Sequence, residues 1–315
     1  MSHFDFPACR DSPLQDAPHL AAALGIGSLA LKRDDLLPFA GGGTKCRKLA
    51  GLVERLAQTP ADTLLLSGGA TSNQVRIIAA VASQTMRACE VVLNAGPDSA
   101  AADFARLFGA VVHALPGADA WALNAAIRSR LKALSAEGRA PLVVPAASAA
   151  DLPCYDEAIA EIVRADADVI VVAAGSGATS AGFLLGLDRH LAHCRLLAVS
   201  VDRPAAELRT VMTRLLASSG IAADGADMPR IMQRLDVEDR FIGAGYGVPS
   251  AASHRAVELA AQSEGVLLEP VYTGKALAAL ASIAAEGGIA RNARVIFWHT
   301  GGVPYLASSL AQLRS

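Results

Sequence analysis

The chain has 315 residues, of which 52% are hydrophobic, 18% are charged and 4% are aromatic, and its formal net charge at pH 7 is -2. A chain of this length can bury a large core, so we expect two domains or one large α/β unit. The composition excludes a disordered chain, and the charge excludes the basic surface that nucleic acid or an anionic membrane attracts. Small molecules are therefore the expected partners.

Repeated strand and helix patterns run along most of the chain. Predicted strands cover residues 28–32, 63–67, 90–93, 110–113, 141–144, 168–174, 195–201 and 293–298. Predicted helices cover residues 45–58, 74–83, 100–108, 118–136, 155–164, 205–217, 251–263 and 274–285, with one more before the strand at 195 and a last one after Pro304. Such alternation implies parallel sheets with right-handed crossovers. Glycine, aspartate and proline interrupt the pattern over residues 224–240, where we expect a surface connection.

The cysteines and the first residues indicate where the protein works. Five cysteines lie far apart without a C-x-x-C pair, which favours reduced thiols over disulfides, and no metal site is predicted. Residues 1–6 lack the basic start and apolar core of a signal peptide, and no apolar run has membrane-spanning length. We therefore expect a cytoplasmic protein.

A glycine run at residues 41–43 precedes Lys45, at the start of the predicted helix 45–58. Glycines allow a backbone to approach a ligand closely. The helix dipole opposes a positive charge at this end, which favours the neutral amine that Schiff-base chemistry requires. A flexible loop before a solvated basic helix is the alternative interpretation of these residues alone.

A second glycine-rich stretch, residues 174–182, follows the most apolar strand and precedes a helix. Free N–H groups, the helix dipole and hydroxyls converge in such a turn and can hold a phosphate. The stretch departs from the dinucleotide pattern at Gly182 and from the P-loop at Phe183 and Leu184. A tight turn that needs small residues is the alternative. Together, the two stretches suggest a phosphorylated cofactor that reacts with an amine, which points to pyridoxal 5'-phosphate (PLP).

Further motifs stand in a fixed order along the chain. They are K-R-D-D at 32–35, G-G-x-K-x-R-K-L at 42–49, S-N-Q-x-R at 72–76, G-S-G-x-T-x-A-G at 175–182, G-Y-G-V-P at 245–249, E-G-V-L at 264–267, P-V-Y-x-G-K at 270–275 and H-x-G-G-x-P at 299–304. In these motifs, over about residues 28–308, the chain resembles the PLP-dependent family of D-cysteine desulfhydrases and 1-aminocyclopropane-1-carboxylate (ACC) deaminases.

The resemblance implies a fold similar to that of the tryptophan synthase β subunit. The expected class is α/β, with two three-layer domains and mostly parallel sheets, the small domain being inserted into the large one. On this pattern the large PLP-binding domain covers residues 1–49 and 161–315, and the small domain covers residues 50–160. A homodimer is also implied.

The resemblance further implies which residues bind the cofactor. Lys45 matches the lysine that holds PLP as a Schiff base and then moves the α-proton. Asn73 matches the residue that bonds the ring hydroxyl, and Thr300 lies at a position near the ring. The phosphate site is matched by Lys48 and by the turn Gly175, Ser176, Gly177, Ala178 and Thr179.

Other matches imply contacts with the substrate. Ser72 matches a residue that faces the substrate carboxylate, and Asn73 and Gln74 follow it in the same motif. Tyr246 and Tyr272 match two active-site tyrosines, one of which stacks near the cofactor and takes part in proton or nucleophile chemistry. Taken singly, each tyrosine would more simply be a half-buried packing residue.

Two threonines stand at positions that distinguish members of the family. ACC deaminases resemble one another in having Glu and Leu there, whereas this chain has Thr273 and Thr300, as hydroxyl residues stand in desulfhydrases. A neutral hydroxyl does not hold the pyridine nitrogen protonated, so the ring is a weaker electron sink and loss of a leaving group from Cβ becomes easier. The resemblance thus implies α,β-elimination, most simply of D-cysteine to pyruvate, ammonia and sulfide.

Three departures from the family pattern keep other substrates open. Thr44 replaces a usual Asn, Thr71 replaces a usual Gln, and residues 146–150 replace a Gly-Gly-Ser segment. ACC deamination is the main alternative. A related lyase acting on cysteate or an O-activated serine, a β-replacement enzyme, and a PLP carrier without turnover also stay open.

Overall fold

The structure is a computed structural model that describes residue 7, residues 9–220 and residues 227–309. Residues 1–6, on which the signal-peptide prediction depends, lie outside the described residues, as do residues 224–226 of the predicted connection. The described chain forms two compact units. The smaller consists mainly of residues 48–146, and the larger consists of residues 9–37, 41–47 and the described residues from 147 onward.

The helices and strands are numbered in chain order. The strands are β1 (Leu14–Asp16), β2 (Ser28–Arg33), β3 (Thr63–Gly69), β4 (Ala88–Asn94), β5 (Val111–Ala114), β6 (Pro141–Val143), β7 (Val169–Ala174), β8 (Arg195–Ser200), β9 (Leu235–Glu238) and β10 (Arg294–His299). The α-helices are α1 (Pro18–Leu24), α2 (Leu49–Gln58), α3 (Asn73–Gln84), α4 (Ala100–Leu107), α5 (Ala120–Ala136), α6 (Leu152–Ala160), α7 (Ala178–His190), α8 (Ala205–Ser218), α9 (Met228–Met232), α10 (Ala251–Glu264), α11 (Thr273–Ala285) and α12 (Val303–Ser309).

Within the described residues, the larger unit has a six-stranded sheet of order β1-β2-β10-β7-β8-β9, in which only the β1–β2 pair is antiparallel. Val171 and Phe297 on one face pack with α1, α10 and α11, whereas Val172 and Trp298 on the other face pack with α6, α7 and α8. The sheet therefore lies between two helical layers, which explains the continuous apolar run of β7. The carboxyl ends of β7 and β10 lie side by side, at the edge where such sheets bind ligands.

The smaller unit has a four-stranded parallel sheet in the described chain, of order β5-β4-β3-β6. Leu65 and Val92 pack against Ile127 and Leu134 of α5. Helix α3 also packs on β3 and β4. The S-N-Q motif at 72–74 lies at the start of α3, shortly after the carboxyl end of β3.

Most predicted elements are confirmed with shifts of a few residues at their ends. The predicted helix 45–58 instead begins as a 3-10 helix, Thr44–Lys48, and is α-helical only from Leu49. The short elements β1 and α1 were not predicted. No helix of the described chain is both long and apolar enough to cross a bilayer. None of the five cysteines, all of which lie in the described part of the chain, forms a disulfide.

The prediction of an irregular connection at 224–240 was wrong for residues 228–238, which contain α9 and β9. Asp227 caps α9 by accepting the Arg230 N–H. Strand β9 lies at the edge of the larger sheet. Its charged residues Asp236 and Glu238 interrupt the apolar pattern, as is usual for an edge strand.

The expected small domain of residues 50–160 stays a prediction, and the smaller compact unit ends earlier, at residue 146. Helix α6 packs closely on α7 within the larger unit, because Gly182 leaves room for Tyr155. A Cβ on Gly182 would lie 2.4 Å from the Cβ of Tyr155.

Candidate active site

The loop that carries the predicted lysine is fixed by backbone packing in the larger unit. A Cβ on Gly42 would lie 2.0 Å from a carbonyl oxygen of the turn after β2, and one on Gly301 would lie 2.5 Å from the Cα of Gly43. The Thr44 N–H donates to the Thr300 carbonyl at 2.9 Å. These glycines are therefore required by close contact between backbones, and the alternative of a flexible loop does not describe this packed segment.

A buried carboxylate at the end of β2 holds the residues on both sides of the lysine. Asp34 accepts hydrogen bonds from Thr44 Oγ1 at 2.6 Å, Arg47 Nη2 at 2.7 Å, Ser12 Oγ at 2.7 Å and Trp298 Nε1 at 2.9 Å. Burial alone would raise the pKa of Asp34, but the Arg47 guanidinium and the other donors lower it overall. Asp34 therefore stays ionised and anchors the loop.

Glu161 completes this arrangement of buried charges. It accepts a hydrogen bond from Arg47 Nη1 at 2.6 Å and lies 2.6 Å from Lys32 Nζ. Burial opposes the ionisation of Glu161, yet Arg47 and Lys32 lower its pKa. We call Lys32, Asp34, Arg47 and Glu161 the lysine-loop cluster. Three of its members lie in the motifs at 32–35 and 42–49, but their role was not predicted.

The side chain of Lys45 is directed toward the second glycine-rich stretch. Its Nζ lies 3.5 Å from Thr179 Oγ1, in the first turn of α7, and 5.8 Å from the centroid of the Tyr155 ring. The larger unit thus brings together the two stretches that sequence analysis singled out. Tyr155 was not predicted, because a single tyrosine in a helix carries no distinctive local signal.

The N-terminus of α7 offers donors to an anion. Gly177 precedes the helix with φ +84° and provides no side-chain cap, so the first-turn N–H groups of Ala178, Thr179 and Ser180 need an acceptor from elsewhere. The Ser180 hydroxyl is buried, and it has no hydrogen-bond partner among the described residues. A phosphate dianion satisfies such donors, and a nearby lysine amine can bind an aldehyde, so these residues fit PLP.

The two predicted tyrosines meet in the larger unit. Their hydroxyls are 2.7 Å apart, and their rings pack edge to face with centroids 6.0 Å apart. The ring of Tyr272 also lies against Gly175, where an added Cβ would be 3.2 Å from its Cε1. Burial raises the pKa of Tyr246 and raises that of Tyr272 further with the help of its neighbour. Both tyrosines therefore keep their protons at neutral pH and can donate hydrogen bonds.

Glu269, three residues before Tyr272, was not predicted from the sequence. The buried carboxylate of Glu269 accepts backbone N–H groups at the start of α11. Thr273 Oγ1 donates to the main-chain carbonyl oxygen of Glu269 at 3.1 Å. Thr273 is fully buried, and its contact with substrate stays a prediction. An acidic residue next to a helix start is a known capping signal and could have identified Glu269.

His299 and Thr300 end β10 and shape the following turn. The Nε2 of His299 lies 2.9 Å from the Leu267 carbonyl, and its Nδ1 accepts the Gly301 N–H at 3.3 Å. Burial lowers the pKa of His299, so the ring is neutral with its proton on Nε2. His299 positions the turn, and the place of Thr300 near the cofactor ring stays a prediction.

In the smaller unit, Ser72 and Asn73 lie at the start of α3. Ser72 is the N-cap, and its hydroxyl accepts the Val75 N–H at 3.3 Å. The side-chain oxygen of Asn73 accepts a hydrogen bond from the buried Arg76 at 2.9 Å. Both side chains are held by their own helix, and their contacts with cofactor and substrate stay predictions.

Lys48 and Gln74 contact each other in the same unit. Lys48 Nζ lies 3.3 Å from Gln74 Oε1, and Gln74 Nε2 donates to the Pro145 carbonyl at 2.8 Å. The amide of Gln74 is thus engaged within the unit. The phosphate role of Lys48 and the substrate role of Gln74 stay predictions.

Comparisons with known proteins agree with this geometry. A family model described as pyridoxal-phosphate dependent enzyme matches residues 6–301. The chain is 35% identical to the D-cysteine desulfhydrases of Salmonella choleraesuis (strain SC-B67) and Salmonella typhi, over 94% of this chain and 92% of theirs. The solved structure of an ACC deaminase homologue superposes with a TM-score of 0.86 at 27% identity, covering 96% of this chain and 93% of that one.

A fungal L-serine ammonia-lyase from Rhizomucor miehei shares the fold, with a TM-score of 0.70 at 18% identity over 96% of this chain and 97% of that one. The chain therefore belongs to the family of pyridoxal-phosphate dependent enzymes, with PLP as its cofactor. The predicted fold class, a small α/β domain inserted into a large one with mostly parallel sheets, is confirmed.

Proposed function

We propose that this enzyme is a lyase that catalyses α,β-elimination of D-cysteine to pyruvate, ammonia and sulfide. The observation that carries the proposal is the Lys45 amine 3.5 Å from the Thr179 hydroxyl at the N-terminus of α7. This distance supports the assignment of Lys45 as the Schiff-base lysine beside a turn that binds the phosphate. The 35% identity with D-cysteine desulfhydrases supports the substrate.

The residues of this chain divide the work between binding and proton transfer. When bound, PLP supplies a conjugated ring that withdraws electrons from the substrate's α-carbon. The Lys45 amine attaches the cofactor and removes the α-proton. The turn from Gly175 to Thr179, with Ser180, holds the phosphate. Of the two hydroxyl protons of Tyr246 and Tyr272, one forms the hydrogen bond between the tyrosines, and the other is donated to the substrate.

The proposed elimination breaks one C–H bond and one C–S bond of the substrate. The Cα–H bond breaks, its electron pair forms the Cα–Cβ double bond, and sulfur leaves Cβ with the pair of the C–S bond. Water then hydrolyses the released enamine to pyruvate and ammonia. From the resemblance, Asn73 bonds the ring hydroxyl and Lys48 the phosphate, while Ser72 and Gln74 contact substrate.

Elimination is supported by the residue types near the ring. Thr273 and Thr300 stand where ACC deaminases have Glu and Leu, and neither offers a carboxylate. ACC deamination is the second candidate, which the structural similarity to an ACC deaminase homologue favours. β-Replacement, a lyase for another β-substituted alanine and a PLP carrier are the remaining alternatives.

We also propose a cytoplasmic homodimer. Five cysteines without a disulfide suit a reducing compartment, and the dimer is what the resemblance implies. Sedimentation of the purified enzyme tests the dimer, because a monomer mass would contradict it.

The first experiment measures 2-oxo acid release by the PLP-loaded enzyme with D-cysteine, L-cysteine and ACC in parallel. We expect pyruvate from D-cysteine alone. A four-carbon 2-oxo acid from ACC, or pyruvate from L-cysteine only, would replace the proposed substrate. PLP binding without product from any of the three would contradict the proposed substrate and leave a carrier, a β-replacement enzyme or a lyase for another β-substituted alanine.

Lys45→Ala tests the role of the lysine. We expect turnover to fall at least about a thousandfold, because both the attachment and the base are removed. The visible absorbance of lysine-bound PLP should disappear as well. Lys132→Ala, on the exposed face of α5, is the matched control and should keep both signals. Retained turnover in Lys45→Ala would contradict the assignment.

A further inference from the structure

The carboxylate of Glu269 lies beneath the start of α11, where Tyr272 occupies the N-cap position. Its Oε1 accepts the N–H groups of Tyr272 at 2.7 Å and Thr273 at 2.8 Å, and its Oε2 accepts the Val271 N–H at 2.8 Å. Tyr272 makes no side-chain cap of its own. Glu269 therefore supplies the cap and fixes the backbone from which the Tyr272 side chain extends.

Lys275 holds the second tyrosine from the first turn of the same helix. It is fully buried, and its Nζ donates to the carbonyl oxygens of Ile242 at 2.6 Å and Gly245 at 3.1 Å. Tyr246 follows directly, between Gly245 and Gly247, which have φ of +134° and +78°. These glycines allow many conformations, and the loop is fixed by the ammonium together with a hydrogen bond from the Val248 N–H to the Gly245 carbonyl at 3.3 Å.

Each tyrosine is thus held at its backbone by a buried charge and at its hydroxyl by the other tyrosine. We propose that Glu269 and Lys275 are positioning residues that set the 2.7 Å contact between the hydroxyls of Tyr246 and Tyr272 and so aim the pair at the substrate. The aim at substrate rests on the proposed function, whereas the hydroxyl contact is tested without it.

The energetics favour a role beyond stability. Burial raises the pKa of Glu269 and lowers that of Lys275, so each charge is held against its desolvation cost. Apolar residues of similar size are often as stabilising at such positions, or more so. The bonds that these charges make go to the backbone of Tyr272 and to the carbonyl before Tyr246, which are the segments that must be placed accurately.

The test uses the PLP-loaded enzyme with its tyrosines isotope-labelled at the ζ-carbon. The chain has four tyrosines, and Tyr→Phe variants assign the four NMR signals. In Glu269→Gln we expect the signals of Tyr246 and Tyr272 to shift, with those of Tyr155 and Tyr305 unchanged. Glu258→Gln, the same change at an exposed site of α10, should shift none. Unshifted signals of the pair in Glu269→Gln would overturn the proposal.

Lys275→Met is the second variant, so the test does not depend on one folded mutant. It should shift the Tyr246 signal most, because the loop of that residue loses its anchor. Lys132→Met is its control. A general loss of stability with the pair's signals in place would show that the two charges serve folding alone.

A kinetic cycle tests the aim at substrate. With D-cysteine, Glu269→Gln should lower kcat/KM about tenfold to a hundredfold. In the Tyr272→Phe background the same change should cost less than about twofold, because it acts through that tyrosine. Equal losses in both backgrounds would overturn the proposal. An enzyme that eliminates no substrate but shows the NMR shifts would refute the proposed function and leave the positioning intact.

Discussion

The larger unit buries two groups of charges, and it satisfies them in different ways. In the lysine-loop cluster, the carboxylates of Asp34 and Glu161 meet the guanidinium of Arg47. Around Tyr272, the carboxylate of Glu269 meets backbone N–H groups, and Lys275 meets backbone carbonyls. One group is therefore held by direct ion pairs, whereas the other is held mainly by hydrogen bonds to backbone groups, with Glu269 attracting Lys275 at longer range.

This difference appears in the pKa directions. The pKa values of Asp34 and Glu161 are lowered despite burial, because a full positive charge lies against each carboxylate. The pKa of Glu269 is raised, since its N–H donors do not offset burial. Ion pairs therefore more than offset the desolvation cost of the carboxylates at the Lys45 loop, whereas backbone hydrogen bonds do not offset that of Glu269 beside Tyr272.

The largest expected effect comes from removing the shared cation. Arg47→Met leaves two buried carboxylates without their guanidinium, which should cost about 3–5 kcal/mol of unfolding free energy. Lys275→Met removes hydrogen bonds to neutral carbonyls and also a desolvated charge, so it should cost less, about 1–3 kcal/mol. Urea unfolding of the two variants measures the difference. A larger loss in Lys275→Met would reverse the comparison.

The next largest effect should appear in the stability against urea at acid pH. Because the folded pKa values of Asp34 and Glu161 lie below the unfolded values of about 4, their stabilisation is complete above that range. It is lost as the pH falls through the folded values. Asp34→Asn should therefore flatten the fall of the urea midpoint below about pH 4.

Glu269 should change the free energy of unfolding with pH in the opposite direction. Its folded pKa lies above the unfolded value of about 4.3, so its contribution is present below that value and declines as the pH rises through the folded pKa. Glu269→Gln should remove this decline without changing the region below pH 4. The same slope in wild type and in both variants would refute the assigned directions.

The sequence revealed the parts of the site that carry a local signal. Lys45 and the turn at 175–179 stand on glycine-rich stretches between a strand and a helix, so their chemistry could be predicted before the fold. The lysine-loop cluster gave no such signal. The contact of Asp34 with Trp298 spans 264 residues of chain, and only the sheet, with β10 beside β2, brings them together.

The fold shows the same limit. The long parallel strands were predicted because burial on both faces makes them continuously apolar, as in β7. The strands β1 and β9 are short, lie at the two edges of the larger sheet and carry polar residues, so their pairing is decided by their neighbours. Helix α1 has only seven residues and begins two residues after the end of β1. Sequence patterns therefore did not predict the elements whose formation depends on tertiary contacts.

The smallest expected effect is that of Ser12→Ala, which tests whether the hydrogen bonds of the lysine-loop cluster act separately or as a cooperative network. The Ser12 hydroxyl donates to Asp34 at 2.7 Å and accepts from Arg47 Nη2 at 3.2 Å. Ser12→Ala should cost only about 1 kcal/mol, because Asp34 keeps its charged partner and two neutral donors. The acid transition should stay in place for the same reason, since Arg47 lowers the pKa of Asp34 more than the neutral donors do. Ser135→Ala, at an exposed site of α5, is the control in urea unfolding. If Ser12→Ala lost nearly as much unfolding free energy as Arg47→Met, the lysine-loop cluster would act as one cooperative unit. Its difference from the segments of Tyr246 and Tyr272 would then be one of cooperativity and not of charge.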